Sequence, residues 1–281
     1  MDKFLVINNK EIIQSPDHFL LEKKYYKSYA LFLAHKNNIR VSDTLILTSV
    51  DSIDVVETYL DGFNEPIMLR MDYECLSNRK YVGGIPIYSL NALKKTCLFL
   101  FKNNFIPILQ PYADRYKNTY NANCSLTNNA DVVYIELLGN GFDAGDLRLG
   151  LINSHEEIQY DFTEWKLLSR RIITSDEYLI SKSKRETYIT KMEKYIEYVN
   201  KKNKLLDDIS NMRGEKDNHK LNDEYIPISK EFIMETAYLS YIIKNKIIPS
   251  LPYSQDYIAS ISIMENGNHV LWDVYGRWYF R

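Results

Sequence analysis

Three stretches of this 281-residue chain hold residue types whose spacing could do chemistry. The first, PIMLRMDYECLSNRKYVGGIPIYS at 66–89, sets Arg70 in an apolar, strand-like run and follows it with Arg79, Lys80, Gly83 and Gly84. A cation on a rigid strand can neutralise phosphate oxygens, and arginine does so with two donors at once. Glycines let backbone N–H groups approach the same phosphates. The second, VVYIELLGNGFDAGDLRLG at 132–150, carries Glu136 in an apolar run that breaks into four glycines with Asp143 and Asp146. That break reads as a Gly–Asp turn with a helix N-cap, or as the edge of a ligand site whose glycines take up positive φ. His155 follows closely, in NSHEE, as the histidine placed for a catalytic role; its other use is as a satisfied structural histidine. The third, SISIMENGNHVLWDVYGR at 260–277, brings Asp273 and Arg277 onto one hairpin. A carboxylate on a terminal strand can hold Mg²⁺ between phosphates. FIPILQPY at 105–112 ends in Gln110, Pro111 and Tyr112, a segment able to offer backbone groups to the edge of a base. Each member has an ordinary alternative: Arg70 as a surface ion pair, Gly83 and Gly84 as a turn, Asp273 as a solvated strand residue.

Other chemistries are not indicated. The chain has no G-x-x-x-x-G-K-[ST], no H-E-x-x-H, no G-x-S-x-G, and no G-x-G-x-x-G after its first strand. Cys75, Cys97 and Cys124 are odd in number and form no C-x-x-C pair, which suggests small buried hydrophobes rather than disulfides or zinc ligands. A formal net charge of -2 offers no global field for nucleic acid or an anionic membrane, and the 23 tyrosines are too scattered to define a base-stacking surface. MDKFLVINNKEIIQ lacks a basic region followed by a long apolar run, and no stretch of 18 apolar residues occurs. The expectation is a cytoplasmic protein with neither a leader nor a membrane span.

The elements that must position these residues are legible from periodicity. FLVI (4–7), TLILTSV (44–50), PIMLRMDY (66–73), FIPILQPY (105–112) and DVVYIELLG (131–139) read as strands. SYALFLAHKNN (28–38), DSIDVVETYLDGF (51–63), SLNALKKTCLFLFKNN (89–104) and FIMETAYLSYIIKNKI (232–247) read as helices, with Ser89 as an N-cap. Residues 163–212 are helical in pattern and locally basic, with eleven Lys or Arg against six Asp or Glu over 163–204. SNMRGEKDNHKLNDEY at 210–225 reads as a polar loop. IASISIMENGNHVLWDVYGRWYF at 258–280 reads as a hairpin turning at Asn266-Gly267. Strands mixed with helices imply an α/β or α+β protein.

The order of these parts resembles the ATP-grasp family. That family runs from a Lys or Arg strand through a Gly-rich loop over the phosphates, a helix and a hinge strand. It closes on a metal-binding hairpin of form D-f-x-x-x-x-x-G-x-x-x-x-x-E-x-N-x-R. Here Gly267 falls on the glycine, Asp273 on the second acid and Arg277 on the arginine, whereas Ser260 replaces the first acid and Tyr275 the asparagine. The resemblance covers roughly 65–140 and 256–281. It implies an α+β fold of ATP-grasp-like two-lobed architecture with a helical insertion. It divides the chain into an N-terminal α/β segment (1–64), a nucleotide-binding lobe (65–160) and a helical segment plus C-terminal hairpin (161–281).

By the same resemblance ATP and Mg²⁺ are the expected cofactors. Arg70, Lys80, Gly83 and Gly84 would serve the phosphates, Gln110 and Tyr112 the hinge, Glu136 the ribose or adenine, Asp273 the metal, and Arg277 with His155 the chemistry. The implied activity is ATP-dependent ligation of a carboxylate to an amine or thiol through an acyl-phosphate, on a small-molecule or peptide substrate. The departures at Ser260 and Tyr275 imply an alternative, a catalytically degenerate nucleotide-binding or scaffolding protein. The third reading is an interaction module that uses the basic region 163–204.

Overall fold

The computed structural model describes residues 4–7, 12–13, 25–60, 67–73, 85–87, 89–111, 118–127, 129–139, 147, 153–173, 226–251, 256–264 and 266–276. Among them the strands form two six-stranded antiparallel sheets. The fold is α+β.

The first sheet uses β1 (Phe4–Ile7), β2 (Ile12–Ile13), β3 (Thr44–Leu47), β4 (Ile67–Tyr73), β5 (Ile85–Ile87) and β6 (Phe105–Pro111), in the order β2-β1-β3-β6-β4-β5. Alternation decides its two faces. Leu45, Leu47, Leu69 and Leu109 point to one side, against α2 (Val55–Leu60) and α3 (Leu90–Lys102). Helix α3 supplies Leu93, Cys97 and Leu100 to this layer, one stripe at helical spacing. Ser89 caps it as expected, its Oγ accepting from the Ala92 N–H at 3.2 Å, and Asn104 ends it in the left-handed region at φ 61. Ile46, Ile106 and Ile108 point to the other side and join the core shared with α1 (Tyr26–Lys36) and the second sheet.

The second sheet uses β7 (Asn118–Thr127), β8 (Val132–Gly139), β9 (Glu156–Asp161), β10 (Lys166–Ile172), β11 (Asp256–Met264) and β12 (His269–Gly276), in the order β10-β9-β8-β7-β11-β12. Its apolar face carries Ala122, Cys124, Ile135, Ile158, Ala259 and Ile261 beneath α4 (Lys230–Ile242), which contributes Ile233 and Ala237. Burial raises the Cys124 and Cys97 thiols to about 12, which suits the expected small buried hydrophobes. Residues 40–42 bind the sheets together. Leu271 N–H donates to the Arg40 carbonyl at 2.9 Å and Ser42 N–H to the Leu271 carbonyl at 3.3 Å, so the free edge of β12 is paired just before the chain enters β3.

Several segments differ from the sequence reading: residues 85–87, read within a polar loop, form β5, and residues 156–161, where no strand is expected, form β9. Residues 166–172, read as the start of a helical region, form strand β10. Asp161 Oδ1 accepts from the Thr163 and Glu164 N–H groups, Trp165 takes φ 51, and the chain turns back on β9 before a helix can begin. Residues 174–225, including the rest of that basic region, lie outside the described residues. The strand β7 was not anticipated, because Asn and Ser are poor strand formers in isolation.

Among the described residues no helix is long and apolar enough to cross a membrane.

Candidate functional site

The site begins with a helix cap supplied from another element. Ser28 sits in the first turn of α1, where backbone N–H groups have no partner within the helix. Its N–H and its hydroxyl both donate to Asp72 Oδ2 of β4, at 2.9 and 3.0 Å. This buried acceptor ties the start of α1 to the first sheet and satisfies the positive end of the helix. The neighbouring residue, Lys27, is thereby held in the interior at 3% exposure.

Lys27 reaches across to β12. Its Nζ lies 3.4 Å from Asp273 Oδ2, and Asp273 is itself 2% exposed. Arg70, two residues before Asp72 on the same face of β4, places Nη1 3.8 Å from the same oxygen and donates to the Trp272 carbonyl at 3.1 Å. Its guanidinium centre stands 5.9 Å from the Trp272 ring, and Lys27 Nζ stands 5.9 Å from the Tyr275 ring. Two cations therefore share one carboxylate, which leaves one net positive charge in this triad.

Beyond Asp273 the second sheet presents a polar face made by cross-strand pairing. Asp273 lies opposite Ser260, Ser260 opposite Asn123, and Asn123 opposite Glu136. Ser260 Oγ donates to Asn123 Oδ1 at 3.1 Å, and Ser262 Oγ donates to Asn121 Oδ1 at 2.6 Å. Trp272 Nε1–H donates to Ser262 Oγ at 2.8 Å. A bulge between Ser260/Ile261 and Asp273/Leu271 inserts Trp272 as the extra residue, so both Trp272 and Asp273 engage this polar side while Leu271 returns to the core. The polar face is thus uncharged and hydrogen-bonded at its centre, with charge at β12 and at Glu136.

Gln110 lies on the same face of the first sheet as Arg70, one pair further along the strands, since Met68 pairs with Gln110 and Arg70 with Ile108. Its Nε2 donates to Thr44 Oγ1 at 3.1 Å, and its buried Oε1 has no hydrogen-bond partner among the described residues. A buried acceptor left in this way can receive a donor from a ligand.

His155 stands elsewhere. Its Nδ1 accepts from the Gly139 N–H at 3.2 Å, its N–H donates to the Leu137 carbonyl, and its carbonyl accepts from Ile173 N–H. The ring is therefore the Nε2–H tautomer, and burial pushes its pKa down to about 4. It seals the end of β8. Lys80, Gly83, Gly84, Tyr112 and Arg277 lie outside the described residues.

Lys27, Asp72, Asn123 and Trp272 were not anticipated as parts of this cluster. One signal was available for Lys27: a cation in the first turn of a helix opposes the macrodipole. A buried lysine placed there requires a partner from outside the helix.

The residues fit a polyphosphate better than they fit a divalent ion. Triphosphate oxygens suit the Lys27–Arg70 side, and Gln110 Oε1 can accept from a base or ribose. Mg²⁺ demands several oxygen ligands in near-octahedral array. Its usual protein ligands are one or two carboxylates, the rest being phosphate oxygens and waters; here Asp273 already faces two cations, and the residue opposite it is the neutral Ser260. As the residues stand, Mg²⁺ does not fit at Asp273.

No family model and no curated protein matches the sequence. Solved structures similar to the chain include the following three. D-cycloserine synthetase DcsG is 9% identical with a TM-score of 0.43, covering 92% of this chain and 64% of its own. D-alanine–D-alanine ligase from Coxiella burnetii is 9% identical with a TM-score of 0.45, covering 92% and 48%. The ADP complex of purK, an N5-carboxyaminoimidazole ribonucleotide synthetase, is 9% identical with a TM-score of 0.42, covering 92% and 46%. This chain thus spans between about half and two thirds of their lengths.

Proposed function

We propose that this chain binds the polyphosphate of ATP or ADP against the polar face of the second sheet, in the ATP-grasp-like arrangement its sequence resembles, without the turnover of a carboxylate–amine or carboxylate–thiol ligase. The observation that carries the reading is the Lys27–Asp273–Arg70 triad, two buried or half-buried cations on one carboxylate beside an uncharged hydrogen-bonding wall. Its two cations can meet phosphate oxygens, with Asp72 and Asp273 balancing them in the absence of a ligand, and the low-dielectric setting strengthens that attraction. Arg70 and Lys27 bind phosphate oxygens in this reading. By the same resemblance Lys80, Gly83 and Gly84 would serve the phosphates, Gln110 and Tyr112 the base, and Glu136 the ribose or adenine. His155 and Arg277 support the fold and the bound anion. The partner this reading expects is a small molecule or a peptide.

Phosphoryl transfer to a carboxylate relies on metal ions that neutralise the developing charge. Asp273, paired to two cations, does not supply that requirement, which favours binding over ligation. The test is calorimetry with ATP and ADP, with and without Mg²⁺, on wild type and on Arg70→Ala. Loss of one charge-assisted contact weakens binding by about tenfold or more. Absence of binding under every condition refutes the reading. Release of phosphate from ATP by wild type at ordinary enzyme rates, in the presence of a carboxylate and an amine, restores the ligase alternative.

A further inference from the structure

We infer that Lys27 is the resident cation of this site: its ammonium stands on Asp273 where a divalent ion would otherwise bind, so that the polyphosphate is held without a metal. The inference deepens the nucleotide-binding reading and rests on it for the identity of the ligand.

Three observations converge on Lys27. Its ammonium faces Asp273 Oδ2 at 3.4 Å with both residues almost wholly buried. A metal ion approaching that oxygen meets a fixed positive charge already in place. The position of Lys27 is also imposed from outside. Asp72 ties the adjacent Ser28 through two hydrogen bonds, so α1 cannot swing the ammonium away without breaking its own cap. Finally, the residue opposite Asp273 is Ser260, a neutral side chain that donates to Asn123 and brings no second carboxylate. A second carboxylate there, with a divalent ion between the two, would carry the same local charge as the present lysine on a single aspartate. Exchanging an acid for Ser260 and a divalent ion for Lys27 is therefore electrostatically neutral. Either change alone would leave the buried cluster one charge out of balance.

The inference predicts that Lys27, rather than the lack of a second acid alone, keeps metal out. Mn²⁺ binding is followed by electron paramagnetic resonance on wild type, Ser260→Asp and the double variant Lys27→Met/Ser260→Asp. Near-ultraviolet circular dichroism checks that each remains folded. The expected result is no Mn²⁺ site in wild type, little in Ser260→Asp, and at least tenfold tighter binding in the double variant. Equal binding by Ser260→Asp and the double variant overturns the role of Lys27, as does the absence of binding by the double variant. Where Lys27→Met fails to fold, Lys27→Gln replaces it, since an amide can still donate to Asp273 without the charge. In parallel, ATP affinity of wild type is compared in EDTA and in excess Mg²⁺. Agreement within twofold is expected, and a tenfold requirement for Mg²⁺ overturns the inference. Failure of ATP to bind at all refutes the nucleotide reading, while the Mn²⁺ series still decides what Lys27 does.

Discussion

Asp273 and His155 both sit in the interior, and they differ in what surrounds them. Asp273 stays compensated by Lys27 and Arg70. Replacing it with Ala leaves two cations without their shared partner, and a broken buried pair costs about 3–5 kcal/mol. Urea unfolding of Asp273→Ala should show that loss, whereas a cost near zero would mean the triad is solvated. For His155 desolvation by burial dominates, and its pKa falls to about 4. The unfolded imidazole titrates at about 6.5. The native state then binds fewer protons than the unfolded state between these values, so stability is full above about pH 6.5 and declines as pH falls toward 4. His269, also lowered chiefly by burial, adds in the same direction. Urea midpoints of wild type and His155→Gln at pH 7 and pH 4.5 should draw together at the lower pH, with wild type losing roughly 2–3 kcal/mol more than the variant over that range. At this scale Arg70, Glu136, Asp273 and Gln110 were legible as residue types on strands. Lys27 was not, because nothing local to YYKSYA names a partner at the far end of the chain.

The elements were legible where periodicity and punctuation agreed. Helix α3 lies where its apolar stripe and Ser89 predict it, and the β11–β12 hairpin turns at the expected glycine. Gly267 takes φ +81, and a Cβ built there would stand 3.3 Å from the Phe232 ring. Gly267→Ala should therefore destabilise the protein by about 1–2 kcal/mol, from left-handed strain plus displacement of that ring. A thermal-unfolding temperature unchanged from wild type would show that the turn relaxes freely. Strand β7 escaped notice because only every second residue is apolar: Tyr120, Ala122, Cys124 and Leu126 enter the core, while Asn121 and Asn123 face serines of β11. Read in one dimension, NTYNANCSLT is a polar stretch; paired on both sides, its asparagines become the wall of the site. Strand β10 escaped for the converse reason. Its leucines are exposed, Leu168 at 44%, so no alternation marks it, and only the turn at Asp161–Trp165 returns it to β9.

At the scale of the whole molecule, the two sheets share a core through α1, α4 and residues 40–42. The second sheet is held at its centre by β7, β8 and β11, each paired on both sides, while β10 pairs within the sheet only with β9. Native-state hydrogen exchange should accordingly be slowest in β7, β8 and β11 and faster in β10, since opening energies follow burial and pairing. Equal protection across the sheet would show that another part of the protein covers β10. The chain's pattern by itself narrowed the class to α/β or α+β and determined most helices, several strands, the terminal hairpin, and the residue types suited to phosphate, because those depend on local periodicity, turn chemistry and charge. Only the tertiary structure decided which of them meet. Arg70 and Trp272 are hydrogen-bonded across 202 residues, and Lys27 reaches Asp273 only because Asp72 caps its helix from a different sheet. Spacing along a chain does not encode which face of one strand confronts which turn of a distant helix. That confrontation turns Asp273 from a free carboxylate into one arm of a buried ion triad.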